Sequence, residues 1–329
     1  MFSPGVRRLM ARAGQRGAFR AGQEDLSEFA GIQVGIKDVE RVAEQTGRDV
    51  EHWHSRERQA WREEKSSQPP LSIPLMYISY DGTGVPMVPW ETVGRKGKQA
   101  DGGSKTREAK LGCVFTQTGL DDQGRPVRDE ASTTFVGAIE TAEVFGTRIY
   151  GEALRRGLQQ ARQMVVIADG ARYNWEIAAL HFPNATQIVD LYHARQHLHI
   201  LATILVPDSG AEQNRLLHRW RELLDKDGLE SILRSAQRQL PRGREQRKAA
   251  EKEIGYFRNN AERMRYGHFR SQGFFVGSGV VEAGCKTVVG QRLKQSGMEW
   301  TVKGANAIIA LRCCHLSNRM AEFWEQRAA

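Results

Sequence analysis

Two apolar runs, each closed by an aspartate, restrict the possible folds of this chain more than any other feature. Leu75-Met76-Tyr77-Ile78-Ser79-Tyr80 leads into Asp81, and Met164-Val165-Val166-Ile167-Ala168 leads into Asp169. A short run with no polar alternation reads as a strand covered on both faces, so helices must flank the sheet that holds it. A third acid, Glu282, lies in Gly277-Ser278-Gly279-Val280-Val281-Glu282-Ala283, where a helical pattern opens. An acid among such apolar neighbours needs a partner, and a cation is one. Two carboxylates at strand ends and one on a helix form an all-oxygen donor set that suits Mg²⁺ or Mn²⁺. Two such ions can activate a water or a 3′ hydroxyl and stabilise the leaving oxygen of a phosphodiester. Taken singly each acid is weak evidence, because an Asp after a strand often only caps the next turn and a helical Glu is usually solvated.

Composition narrows the class. Among 329 residues, 40% are hydrophobic and 26% charged, as in soluble globular chains. No stretch has the length of a membrane span, and no apolar segment follows the arginines of the first residues, so a cytoplasmic location without membrane association is expected. Cys113, Cys285, Cys313 and Cys314 have no Cys-x-x-Cys spacing and read as buried structural residues. The net charge is +9, and its placement matters. Residues 71–205 carry 14 basic and 14 acidic side chains, whereas residues 206–275 carry 15 and 10. Metal-holding acids in a neutral segment and basic excess downstream match a nuclease-like division of labour. A merely basic soluble protein would show the same total.

The chain divides by pattern. Residues 1–70 read as helical, with Asp25 to Gly31 and Lys37 to Glu57 as helices around a turn, in the manner of a helix-turn-helix or a plain hairpin. Lys65-Ser66-Ser67-Gln68-Pro69-Pro70 has linker composition. Residues 71–205 place strands at Leu75, Val85 to Val88, Leu111 to Gln117, Ala131 to Val136, Met164 to Ala168 and Gln187 to Asp190. Helical patterns cover Ala138 to Gln163, Tyr173 to His181 and Leu191 to Leu205. This order predicts an α/β mixed sheet with flanking helices. Leucines at helical spacing predict an all-helical insertion over 206–275, and 276–329 carries the Glu282 helix.

Other groups gather near these acids. Lys286 follows Glu282 by one helical turn, and Arg292 and Lys294 come after it, so contacts with DNA phosphates are expected of all three. Arg242, Arg244, Arg247 and Lys248 concentrate charge in the helical segment and are expected on DNA too. Asp190-Leu191-Tyr192-His193 puts an Asp and a His at a strand-to-helix junction, facing one cavity. His193 and His197 have zinc-helix spacing, but Ala194 stands where the glutamate of that motif belongs. Gly103-Ser104-Lys105-Thr106 lacks the spacing of a nucleotide-binding loop.

From about residue 20 onward these segments resemble DDE transposases of bacterial insertion sequences, especially the Kra-type group related to Mutator-like transposases. The resemblance lies in Tyr80-Asp81-Gly82-Thr83 with Val85-Pro86, in Ala168-Asp169-Gly170-Ala171, and in Asp190-Leu191-Tyr192-His193. It also lies in Gly277 to Lys286, continuing through Arg292 to Trp300, Gly304-Ala305 and Leu311-Arg312. It implies a ribonuclease-H-like fold interrupted by a helical insertion. It also implies an Asp81, Asp169, Glu282 triad holding two Mg²⁺ or Mn²⁺ ions, with Asp190 and His193 as accessory residues. The expected activity is metal-dependent cleavage and strand transfer of double-stranded DNA at element ends and target, by a homo-oligomer at the bacterial nucleoid. Such proteins usually begin with a longer N-terminal region, so part of an end-recognition module is expected to be missing. A structure-selective nuclease on the same fold, or a non-catalytic DNA-binding descendant, would carry many of these features. A glycosidase using paired carboxylates fits poorly with a basic helical segment and 8% aromatics.

Overall fold

A computed structural model describes residues 2–64, 72–97, 99–100, 102–207 and 209–328. The linker sequence Lys65–Pro70 lies outside the described residues. At the centre is a five-stranded sheet, ordered β5-β2-β1-β6-β7, built from β1 (Ile73–Pro86), β2 (Thr106–Gln117), β5 (Thr134–Ala138), β6 (Ala161–Ala168) and β7 (Thr186–Val189). β1 runs antiparallel to β2 and parallel to β6, with Tyr77 opposite both Phe115 and Val165. β2–β5 is antiparallel and β6–β7 parallel, so the sheet is mixed, as the sequence pattern requires. The two-residue strands β3 (Gly119–Leu120) and β4 (Pro126–Val127) form a small hairpin around the Asp121 to Gly124 turn, where Gly124 has φ +72°.

Helices cover both faces. Tyr80 points to one side, where its hydroxyl donates to Asn174 O at 2.6 Å and its ring meets Phe145 edge-on. Those partners come from α5 (Arg172–His181) and α4 (Ala142–Arg155). Tyr77 points to the other side and stacks on Phe115 with centroids 4.7 Å apart, beneath Phe275. The alternation along β1 thus gives each face its own aromatic anchor.

Several boundaries differ from the sequence reading. The helical pattern over 138–163 holds only for α4, because Gly157 turns the chain at φ +91° and β6 begins at Ala161. Val85-Pro86 is no separate strand but the continuation of β1, paired with β2 as far as Pro86 opposite Thr106. Asp81 therefore lies inside a long strand. It sits just beyond Ser79, where the parallel ladder to β6 ends.

The first three helices are α1 (Pro4–Arg16), α2 (Phe19–Ala30) and α3 (Ile36–Arg62). Ser3 caps α1 ahead of Pro4, and Gly31 ends α2 in the left-handed region at φ +64°. Met10, Ala13, Leu26, Val39 and Val42 form a small core of their own, while Ala43, Val50 and Trp53 of α3 join the main core. After α6 (Leu191–Leu205) come α7 (Gly210–Asp225), α8 (Leu229–Arg238), α9 (Arg244–Asn259) and α10 (Tyr266–Ser271). This stretch is helical throughout, and Trp220, Leu224, Ile232 and Phe257 belong to the same core as the sheet. The chain ends with α11 (Gly279–Gly284), a π-helical turn at Cys285–Gly290, α12 (Gln291–Leu293), α13 (Val302–Leu316) and α14 (Met320–Ala328). All four cysteines are buried.

α3 and α13 meet where Gly47 has no side chain. A Cβ there would stand 2.0 Å from the Ala307 carbonyl oxygen, a backbone atom that cannot step aside. Gly47→Val is expected to destabilise the protein by about 3 kcal/mol or more, at or beyond the usual overpacking cost. Gly255→Ala, in α9 with open space around it, should raise stability by about 0.5–1 kcal/mol. Urea unfolding checks both; a Gly47→Val protein as stable as the parent would show that α3 and α13 do not pack this closely.

Candidate active site

Five sequence-selected side chains come within electrostatic reach of one another. Asp81 projects from β1 and Asp169 follows the last residue of β6. Asp190 and His193 stand at the start of α6, and Glu282 sits in α11. Asp190, His193 and Glu282 bring one ligand atom each within 4.8 Å of one another, and among the described residues no other His, Cys, Asp or Glu group of three or more is so tight. Asp81 and Asp169 stand outside that group but within electrostatic reach. Burial raises the Asp81 carboxyl above its ordinary value, the Gly82 N–H and His193 oppose the shift, and Asp169 and Glu282 add to it.

Local structure fixes each acid. The Asp81 Oδ1 accepts from Gly82 N at 2.7 Å, and the buried Cys285 lies within electrostatic reach of the same carboxylate. Asp169 Oδ1 accepts from Ala171 N at 2.9 Å and from the Asn174 amide, so it organises the turn into α5. Gly284 lets α11 approach the sheet, because a Cβ there would stand 2.6 Å from the Phe135 ring. Ser278 Oγ lies 3.5 Å from Glu282 Oε1.

Asp190 is fully buried and caps α6 by accepting from His193 N at 2.9 Å. It also accepts from Ser278 N. Burial pulls its pKa upward, yet the hydrogen bonds from His193 and Ser278 prevail and the group stays below its ordinary value. His193 Nδ1 lies 3.6 Å from Asp190 Oδ1. The nearby Asp190 carboxylate raises the imidazole above its ordinary value against a desolvation penalty, with smaller help from Asp169 and Asp81.

The basic residues separate into different roles. Arg292 is not a surface contact: it is fully buried, donates to Gly14 O at 2.9 Å, and lies between the Phe19 and Trp300 rings at 4.4 and 4.9 Å. The expectation that it touches DNA is corrected accordingly. Lys294 is exposed and donates to Thr83 Oγ1, two residues past Asp81. Lys286 is exposed and forms no ion pair with Glu282. Arg242, Arg244, Arg247 and Lys248 are exposed at the start of α9, where Arg247 pairs with Glu251 at 2.9 Å.

Some residues of the site had no sequence signal. His197 is no partner of a zinc pair with His193; its Nδ1 meets Glu253 Oε2 at 2.6 Å and its ring stacks on Tyr256 at 3.6 Å. Tyr256 in turn covers Gly170, where a Cβ would stand 2.2 Å from its ring. The glycine following Asp169 was the one available hint of such a close approach.

All these donors are hard oxygens and one imidazole, so the residues present fit a hard divalent cation. No protein-family profile and no curated protein matches the chain. Among solved structures, a Drosophila P element transposase strand transfer complex is similar at a TM-score of 0.32 and 10% identity, over 98% of this chain and 81% of that chain. No helix among the described residues is long and apolar enough to cross a membrane.

In the metal-free protein, His193 should titrate above an ordinary histidine, and Asp190→Asn should bring it down, as read from the imidazole carbon shifts by NMR. A raised folded pKa gives stability that is full below about pH 6.5 and is lost as pH rises through the folded value. The destabilisation by Asp190→Asn should therefore shrink between pH 6 and pH 8 in chelator. A His193 titration unmoved by the substitution would show that the pair is not formed.

Proposed function

We propose that this chain is a DDE transposase on a ribonuclease-H-like fold, cutting and joining DNA with Asp81, Asp169 and Glu282. The observation that carries this is the approach of three acids from β1, the end of β6 and α11 over a sheet ordered β5-β2-β1-β6-β7. That order, with one antiparallel and one parallel side around β1, supports the fold reading. The raised Asp81 carboxyl supports a cation site, because burial, with a smaller contribution from Asp169 and Glu282, makes its charge costly until a cation offsets it.

Asp81, Asp169 and Glu282 would hold Mg²⁺ or Mn²⁺, two ions being the expected number, with Asp190 and His193 beside them. Such ions, when bound, activate the attacking oxygen and offset charge at the scissile phosphate. The chain's own share is positioning. Gly82 N orients the Asp81 carboxylate, while Ala171 N and Asn174 orient that of Asp169. The raised His193 can donate a hydrogen bond to a phosphate oxygen or hold Glu282. Lys286 and Lys294, both exposed, would offer point charges to the strand being cut. The α2–α3 pair is the proposed helix-turn-helix element, and the basic start of α9 the proposed contact with flanking duplex. Element ends, target DNA and a second copy of the chain would be the partners.

Labelled element ends, target plasmid and Mg²⁺ or Mn²⁺ test the reading by product mapping. Cleavage with strand transfer is expected from the parent protein, and cleavage alone would favour a nuclease. Asp169→Asn should abolish both while duplex binding stays within about twofold. Cutting by this variant at a comparable rate would remove Asp169 from the metal set.

The basic surface is checked separately. Reversing Arg242, Arg244, Arg247 and Lys248 together should weaken duplex binding for all sequences alike. The salt slope should fall by up to about 0.9 per lost phosphate contact. Unchanged affinity and slope would make this end of α9 a structural or self-associating surface.

A further inference from the structure

Beside the acidic cluster runs a groove of about 830 Å³, bounded on one wall by Tyr192 and on another by Phe275, Gly277 and Gly279. Its volume is within the ~300–1,000 Å³ of sites that take small organic groups. Tyr192 is 58% exposed, although it lies between the buried Asp190 and the half-buried His193. The fold does not use this ring to fill its core. Its edge rests against Gly277, where a Cβ would stand 3.2 Å from Tyr192 Cε2. Gly279 also leaves the groove open, since a Cβ there would meet nothing within 4 Å.

The charge of the groove is cationic. Arg195 and Arg270 share one carboxylate, Asp225, at 2.6 and 3.5 Å. One negative charge between two guanidiniums leaves a surplus positive charge, held in place by the pairing itself. Arg125, paired with Asp121 at 2.7 Å, lines the groove at the β3–β4 hairpin. A second cavity of about 660 Å³ shares Tyr192 and Arg195 and adds Arg221, so the cationic track continues past the tyrosine. An exposed ring on a cationic track is the combination that binds unpaired nucleotides: the ring takes the base, the arginines take the phosphates.

We infer that this groove holds one or two unpaired nucleotides of the DNA strand entering the site, with a base stacked on Tyr192 and its phosphate at the Arg195–Arg270 pair. The inference rests on the DNA reading above but not on cleavage. A base in a duplex cannot present its face to a protein ring until it leaves the stack. The groove therefore selects strand ends, gaps or locally opened duplex over intact duplex.

The test uses the full chain with metal chelated, so binding is read without chemistry. Two fluorescent DNAs are compared by anisotropy: a blunt duplex, and the same duplex with a three-nucleotide single-stranded gap carrying 5-iodouracil. The parent protein should prefer the gapped DNA, and irradiation should crosslink the iodouracil to Tyr192, located by peptide mass mapping. Tyr192→Leu should lose the crosslink and bind gapped DNA roughly five- to a hundredfold more weakly. Its affinity for blunt duplex should stay the same. Tyr192→Phe, which keeps the ring, should retain the preference, and Gly279→Leu, which fills the groove, should lose it. Matching circular dichroism and melting curves show that the variants fold. Equal losses on both DNAs, or a crosslink mapping elsewhere, would overturn the inference while leaving the transposase reading intact. If Tyr192→Leu changed the protein's molar mass in solution but not its DNA affinity, the groove would be a contact between copies and the inference would fall. If the parent protein bound neither DNA, both readings would fall.

Discussion

Asp190 is the joint on which the site depends. It is fully buried and accepts backbone N–H groups from His193, three residues on, and from Ser278, 88 residues on. Beside it Leu191 N donates to Val276 O at 3.0 Å. Together these bonds return the chain to the sheet after the long helical excursion, and so deliver Glu282 to the strand that carries Asp81. Burying a carboxylate costs several kcal/mol unless its lone pairs are satisfied, and a half-satisfied one would be worse than an apolar residue. Here the hydrogen bonds outweigh the burial penalty and the group stays ionised. Its negative charge then holds His193 protonated at higher pH, which ties the electrostatics of the cluster to the same bond that closes the fold.

A second joint holds the other end of the Glu282 helix. Arg312 of α13 donates to Gln15 O at the end of α1, and to Thr287 O and Val288 O in the π-helical turn. Arg292 donates to Gly14 O and lies between two aromatic rings. Buried guanidiniums of this kind gain several donors in a fixed plane, which a lysine could not offer. They join α1 to the turn that follows Glu282. That turn is π-helical over Cys285–Gly290.

Much of the sheet was legible because its central strands are buried on both faces, and continuous apolar runs such as 164–168 cannot be mistaken for loops. α6 was legible to the residue, since Asp190 is a side-chain cap as well as a candidate acid. The failures have physical causes. Gly82, Gly84 and Pro86 look like strand breakers, yet β1 continues through them, because beyond Ser79 its ladder runs to β2 alone and leaves an edge that tolerates them. Arg292 was misread because charge in a sequence does not reveal whether two aromatic rings and a helix end will close over it. Tyr256 and Glu253 carry no motif, and their roles arise from contacts across the fold. The residues at Asp81, Asp169 and Glu282 were legible as acids in apolar settings; their mutual approach is a property of topology, which no local pattern encodes.

Topology also decides what the helical segment is. Its leucines and tryptophan share the core with the sheet, so 206–275 is no appendage on a tether. α9 makes the point most directly. It opens with the exposed Arg244, Arg247 and Lys248, and it closes with Glu253, Tyr256 and Phe257 packed inside. Tyr256 covers Gly170 and stacks on His197, and Glu253 fixes that imidazole. A helix of this length is a rod of roughly 24 Å at about 1.5 Å per residue. Its basic end faces solvent while its other end presses on the residue after Asp169 and on the helix that carries Asp190 and His193. A single element of structure thus joins the exposed basic residues to the turn that positions Asp169.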